Sequence, residues 1–391
     1  LNRGWEEPDL RAAETRLTDA VRRDSTFALG YAKLAQTHAS LYWWRYDHTP
    51  DRLAQAQSAA DRAARLDPDL PEAHHALGLL HYWGHFDYDR ALAEFAIARR
   101  GRPNDATITL VTGAAERRRG NFQQALSEMD RARTLDPRFG VPAVDYAYTL
   151  MLMGRYGEAE PAWDRAIAIG PDQRAPYELR SLMYLKATGD IAKARASLME
   201  GLQRVALGRS DLTLRLGWLD ELDGDHAAAL SRLGSAEAEA INSHEEFIPR
   251  ADLLAQVHAA LGHTAAARAY YDSAEAVVRN KLVESPDAAN LRSALGLVLA
   301  GLGRRDESLR EARRAVELLP ITKDAVDGPL RVRDLARTLV MVGDLDGALD
   351  QLEVLFRLPA ANPLSPSLLR LDPVWAPLQG RPRFERLLAA K

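Results

Sequence analysis

The sequence contains no cysteine, which excludes disulfides, thiolate metal sites and a cysteine nucleophile. It has no long apolar run either. The longest, AYTLMLM at 147–153, falls far short of the ~18 residues that span a bilayer, so no membrane insertion is expected of this chain. Neither sign of charge prevails: Lys and Arg number 51 against 55 Asp and Glu, a formal net charge of −4. Such balance supplies no basic field to gather nucleic acid or an anionic membrane surface, and it reads as mixed charge on solvated faces. Lysine is scarce, present only at 33, 186, 193, 281, 323 and 391, and the other basic residues are arginine. With so much alanine, this usage fits a GC-rich bacterial genome. No methionine, basic stretch or apolar leader opens the sequence at Leu1, so the chain is expected to be a piece of a longer protein.

Enzyme signatures are missing as well. There is no G-x-S-x-G, no phosphate-cradling glycine loop, no kinase set and no zinc helix motif. GDLDGALDQLE at 343–353 opens like a calcium loop, but its spacing fails. Paired carboxylates fall only on what read as solvated helix faces. The expectation is therefore a non-enzyme, with no catalytic residue, no cofactor and no metal site.

What is present is a repeat. PNDATITLVTGAAERRRGNFQQALSEMDRARTLDP and PRFGVPAVDYAYTLMLMGRYGEAEPAWDRAIAIGP share one grammar: proline, an apolar helix, a glycine and an aromatic, alanine, a second helix, proline. Pro103, Pro137 and Pro171 are 34 residues apart, as are Pro286 and Pro320, and Pro68 lies 35 before Pro103. Each second helix carries a small residue, a large one four later and Ala three after that: Ala91, Phe95, Ala98; Ala125, Met129, Ala132; Ala159, Trp163, Ala166. First helices carry Tyr31, Leu34, Ala35 and His74, Leu77, Gly78. Looser copies follow at Leu216, Gly217, Ala229, Leu233, Ala236; at Leu254, Ala255, Ala267, Tyr271, Ala274; at Leu295, Gly296, Ala312, Ala315; and at Leu335, Ala336, Ala348, Leu352. Spacings of three and four put these positions on one helix face, where alanine or glycine lets a second helix approach and the large residue fills the space beside it. Proline ends each pair, and the glycine after each first helix supplies a left-handed turn. The pattern predicts nine first helices, starting near 28, 71, 106, 140, 174, 210, 248, 289 and 329, after an unpaired second helix at 8–24.

This period and grammar resemble the tetratricopeptide repeat. The resemblance implies an all-α, right-handed α–α superhelical solenoid of about nine helix pairs. The expected organisation is a half-repeat at 1–27, regular repeats at 28–205 with an aromatic insertion at 40–50, more divergent repeats at 206–360 and a cap at 361–391. Spacing breaks down at 236–250 and 320–330. The cap would use Leu371, Val374, Trp375, Leu378, Phe384 and Leu387 to cover the last apolar face.

By the family's register, the concave lining comprises Leu79, Tyr82, Trp83, Leu110, Arg117, Arg118, Val141, Val144, Tyr148, Met151, Leu182 and Trp218. Chaperone-docking relatives carry lysines and asparagines there that clamp a terminal carboxylate, and this sequence does not. The lining suits an apolar or amphipathic segment of a protein or peptide partner, with a few aromatic anchors. A superhelix tight enough to bury that lining against itself is the alternative. The basic run ERRRG at 116–120 is read as a helix terminus that favours cations, or else as a contact for an anionic partner.

HYWGHFDYDRALAEF at 81–95 puts two histidines and five aromatics into fifteen residues, and SLYWWRYDHTPDR at 40–52 occupies the preceding turn. His81 and Phe95 are repeat framework. Tyr42, Trp43, Trp44, Tyr46, Phe86 and Tyr88 form either an exposed aromatic ridge for a partner or a small core beneath long loops. His38, His74, His75, His81 and His85 lack the spacing of a metal motif.

The opening stretch from RLTDAV to ALAEF and the ending LRLDPVWAPLQGRPRFERLL resemble the repeat region of bacterial multi-domain signalling proteins that carry a Ser/Thr kinase, nucleotide (adenylate) cyclase or winged-helix domain. The functional expectation is a regulatory or scaffolding interaction module, in the cytoplasm rather than the periplasm. A small-molecule sensor using the aromatic groove as its pocket is the first alternative, and a nucleic-acid-binding repeat a distant second.

Overall fold

A computed structural model describes residues 7–389; the first six residues of the expected half-repeat and the last two of the expected cap lie outside the described residues. The helices gather into two compact units, residues 1–149 and 150–391, each with its own apolar clusters.

In the first unit the chain runs through α1 (Glu7–Arg23), α2 (Ala28–Trp43), α3 (Pro50–Leu66), α4 (Pro71–Leu79), α5 (Tyr88–Gly101), α6 (Ala106–Arg118), α7 (Phe122–Leu135) and α8 (Gly140–Leu152), whose last turn belongs to the second unit. The second continues with α9 (Tyr156–Ile169), α10 (Ala175–Ala187), α11 (Ile191–Arg204), α12 (Arg209–Leu222) and α13 (His226–Ser235). A hairpin of β1 (Ala240–Asn242) and β2 (Phe247–Pro249) follows, then α14 (Arg250–Ala260), α15 (Thr264–Glu284), α16 (Ala289–Gly301), α17 (Arg305–Leu318), α18 (Gly328–Met341) and α19 (Leu345–Phe356). The ending comprises α20 (Pro366–Leu371), a 3₁₀ turn at Pro373–Leu378 and α21 (Pro382–Leu388). First helices begin at 28, 71, 106, 140, 175, 209, 250, 289 and 328, within two residues of every expected start.

The small–large–small positions are the cores of the pairs. Ala91, Phe95, Ala98, Ala125, Met129, Ala132, Ala159, Trp163 and Ala166 are all 0% exposed. How closely the rods nest is visible at Gly78, where an added Cβ would lie 2.3 Å from the buried Phe95 ring. The turn inside each regular pair uses a glycine with φ between +71° and +87°, as at Gly120, Gly154, Gly189, Gly224, Gly262, Gly303 and Gly343. Three of these glycines precede an aspartate that starts the next helix: Asp190, Asp225 and Asp344 accept from backbone N–H groups three residues on, at 2.9–3.0 Å.

Four local features depart from the regular pattern. In the aromatic insertion, residues 41–43 extend α2, and only 44–49 form a turn. The lengthened turn after α4 is a π-helical turn, Leu80–Gly84, so that Phe86 (φ +53°) takes the left-handed position, as Arg45 (φ +61°) does in the preceding pair. The irregular stretch at 236–250 is an antiparallel hairpin, the one strand pairing among the described residues, with Ile241 opposite Ile248. The expected cap divides its work: Trp375, Leu378, Phe384 and Leu387 cover α18 and α19, but Leu371 packs with Tyr184 and Ile191 of α10 and α11, 3.4 Å from where a Cβ on Gly189 would sit. The reason is Leu368 on the same helix, which is buried among Leu185, Leu212 and Leu216 and draws α20 back along the unit.

Candidate functional site

In the first unit the two aromatic stretches meet. Trp43 stacks on Trp83 at 5.7 Å and lies 5.5 Å from Tyr82, whose ring meets Tyr88 edge-on at 5.6 Å. Phe86 closes the group against Tyr88 at 6.5 Å. Leu79, Leu110 and Phe95 belong to the same cluster. Of the ridge residues, Trp43 and Tyr88 are buried, Tyr42, Tyr46 and Phe86 half-buried, and Trp44 exposed. Tyr42 stacks on His48 at 3.9 Å.

Arg117 and Arg118 turn inward rather than forming a solvated basic end. Arg118 is 2% exposed, with its guanidinium 5.5 Å over Trp43. Arg117 donates to the Asp145 carboxylate at 2.7 Å and to the Thr149 hydroxyl at 3.0 Å, and lies 4.9 Å over the Tyr148 ring. Val141, Val144 and Tyr148 are half-buried along α8.

The five histidines raised by the sequence serve separate networks. His38 Nδ1 lies 2.6 Å from Arg52, which also donates to Glu14 at 2.5 Å and Asp47 at 2.9 Å. Burial first, then the Arg52 charge, pushes His38 down to about 4. His74 pairs with Glu94 at 2.7 Å, His75 is buried and pushed down to about 4 chiefly by that burial, and the His81 and His85 rings lie 6.1 Å apart.

The second unit contains Met151, Leu182 and Trp218. Met151 is buried, Leu182 half-buried, and Trp218 half-buried between two apolar clusters. Here the first helices already hold polypeptide. Arg215 of α12 and Arg333 of α18 both donate to the Glu246 carboxylate, at 2.9 and 3.0 Å. Asn290 of α16 donates to the Ser243 carbonyl at 3.0 Å, and Arg331 of α18 to the Glu245 carbonyl. Lys186 of α10 donates to the Asn362 carbonyl at 2.7 Å, across 176 residues of sequence. Burial favours a neutral Lys186 amine and, with the Arg333 charge, brings it down to about 8. Burial raises Glu246, but Arg215 and Arg333 outweigh it and hold the carboxyl down to about 2. These residues were missed in the sequence because nothing local marks a long-range partner; the only signal was the broken spacing at 236–250 and 320–330.

Two further features bear on chemistry. A depression of about 370 Å³ on α11 is lined by Ile191, Ala192, Arg195, Ala196, Met199 and Asp223 and opens to solvent; its arginine is already engaged by Asp220 and Asp223. Among the described residues, one group of histidine and carboxylate ligand atoms, on His244, Glu245 and Asp327, lies within 4.8 Å of one another. Among the same residues no helix is long and apolar enough to cross a membrane.

No curated protein matches this chain. The tetratricopeptide repeat family model matches residues 79–138. Among solved structures, the human IFIT1 dimer with m7Gppp-AAAA superposes with a TM-score of 0.52 at 16% identity, covering 81% of this chain and 69% of that one. PilF of Pseudomonas aeruginosa gives 0.42 at 17% identity over 54% of this chain and 90% of its own. A thermophilic tetratricopeptide-repeat protein of Thermus thermophilus gives 0.40 at 22% identity over 47% and 98%. At such identities the likeness is one of fold. With the family match at 79–138 and small–large–small positions buried in helix pair after helix pair, this chain is an all-α helical-repeat protein whose residues 79–138 match the tetratricopeptide repeat.

Proposed function

We propose that the chain is a non-catalytic interaction scaffold that takes a polypeptide segment of a protein partner along the faces of its first helices. The observation that carries this reading is the second unit, where α10, α12, α16 and α18 already hold irregular chain through side-chain bonds to backbone carbonyls and to one carboxylate. A face that bonds its own irregular chain in this way has the chemistry that peptide capture needs. The half-buried Val144 and Tyr148 are the anchors the first unit offers to a partner, and Leu182 and Trp218 are those the second unit offers by itself. We place the scaffold in a larger bacterial signalling protein on the strength of its opening and closing stretches.

The sensor reading needs an enclosed cavity with convergent polar groups, and the open depression on α11 is a poor fit to that. A nucleic-acid partner, such as the m7Gppp-AAAA present with IFIT1, fits less well still: net charge is −4, and Arg117, Arg215 and Arg333 are engaged by Asp145, Glu178, Glu246 and Asp334.

The test is affinity purification from the source cells, quantified for the wild type and for Tyr148→Ala combined with Trp218→Ala. The expected outcome is loss of specifically retained proteins from the double variant while its helical content stays at the wild-type level. Retention of the same proteins in the same amounts would sink the proposal.

A further inference from the structure

The geometry assigns a divalent-metal site to His244, Glu245 and Asp327 of the second unit, a site for a borderline ion such as zinc that ties the inserted hairpin to the start of α18. The two stretches that break the repeat spacing, 236–250 and 320–330, are the ones that supply the ligands. Links elsewhere between a second helix and the next first helix are short: Asp136–Phe139 and Ser285–Ala288 each take four residues. Between α13 and α14 the chain spends fourteen, 236–249, and builds a hairpin.

That tip is fixed from several sides. Asn290 bonds the carbonyl before His244, Arg331 bonds the carbonyl of Glu245, and Arg215 with Arg333 pins the following Glu246. The hairpin arms are anchored by the buried Ile241 and Phe247. With the backbone held on both sides, the His244 imidazole and Glu245 carboxylate are directed together, and their closest atoms lie 3.6 Å apart. The third group, Asp327, occupies the N-cap position of α18 at 1% exposure, with no bond from its carboxylate to the helix N-terminus. Its own backbone N–H is held by the equally buried Asp324 carboxylate at 2.9 Å. Outer contacts of this kind are what orient metal ligands.

One imidazole nitrogen and two carboxylate oxygens suit zinc, or manganese and ferrous iron in the same class, better than calcium. Zinc at ordinary bond lengths brings tetrahedral ligand atoms to about 3.4 Å from one another. The ligand atoms lie within 4.8 Å of one another and draw closer around the ion, with water completing the shell. Arg331 is fully buried, and its Nη2 serves both the Glu245 carbonyl and Asp334, 3.8 Å away, so its charge is shared with a carboxylate outside the cluster. The half-buried His258 and the exposed His263, with Nδ1 atoms 3.2 Å apart, offer two ligands only and serve as the control.

The experiment treats the purified chain with chelator and adds zinc at about one hundred times the dissociation constant, with native mass spectrometry and thermal melting as readouts. The expected result is one zinc retained per chain and a melting temperature raised by about 5 °C. Both effects are lost in His244→Ala and in the near-isosteric Glu245→Gln, and both persist in His263→Ala. Circular dichroism of each variant confirms that it is folded before zinc is added. Failure of the wild type to retain zinc, or equal retention by folded His244→Ala and Glu245→Gln, overturns the assignment and leaves a histidine–carboxylate contact only.

Discussion

Asp252→Asn stabilises this protein at alkaline pH, and the size of the gain follows from where the carboxylate sits. Asp252 lies in the first turn of α14 at 5% exposure, accepting from the Gln256 amide at 2.9 Å. Burial raises its carboxyl from the ordinary 3.8 to about 6, against the opposing effects of the Arg337 charge and the Gln256 hydrogen bond. Below pH 3.8 folded and unfolded chains both carry the proton, and the group contributes nothing. As pH rises toward 6 the unfolded chain releases its proton while the folded one keeps it, so stability falls; above 6 the loss is constant. The gap between 3.8 and about 6, at about 1.4 kcal/mol per pH unit, gives ~3 kcal/mol as the upper bound. Asparagine keeps an acceptor for Gln256 and carries no charge to bury. Urea unfolding at pH 4 and pH 8 should therefore find the variant close to wild type at the lower value and up to ~3 kcal/mol more stable at the higher. Equal stability at pH 8, or destabilisation at both, would falsify the argument and show that Arg337 and the helix N-terminus fully support the ionised carboxylate.

Two other substitutions test the same physical reasoning. Ala132→Glu and Ala166→Glu each place a carboxylate where exposure is 0%, so either should lower stability by at least ~3 kcal/mol, and unchanged melting of both would show the helix register to be misassigned. Glu246→Gln removes the charge that joins Arg215 to Arg333 and should cost about 2 kcal/mol at pH 7. Its carboxyl is held down to about 2, so the contribution is complete above the ordinary 4.5 and fades as pH falls toward 2; a difference from wild type that does not shrink across that window refutes the brace.

The fold was legible because its determinants are local. A glycine must adopt a positive φ at the same point of each regular pair, and alanine must recur wherever two helix axes approach, so period and residue type leave a trace on the sequence. The trace fails where another residue accepts the strain. Phe86 and Arg45 take the left-handed position in the first two pairs, and there the sequence shows only a crowd of aromatics. Their burial around Trp43 was legible as one of two alternatives, since aromatic content alone does not say whether a ring faces a neighbour or water.

The inner-face chemistry was less legible for a different reason. Concave positions were assigned by register, which identifies the face a side chain leaves from but not what stands opposite it. In the second unit the residue opposite comes from far along the chain: Lys186 meets Asn362, Arg333 meets Glu246, and Arg337 meets Asp372. Charges that look solvated on a helical wheel are thus consumed internally, which is why near-balanced composition proved uninformative about the site. The same fact constrains function. Arg215 and Arg333 are each shared between Glu246 and a second carboxylate, Glu178 or Asp334, so an acidic partner can gain these cations only by competing with a carboxylate already in place. Apolar anchors carry no such competition, and Tyr148, Leu182 and Trp218 are therefore the positions at which partner affinity should be most sensitive to truncation.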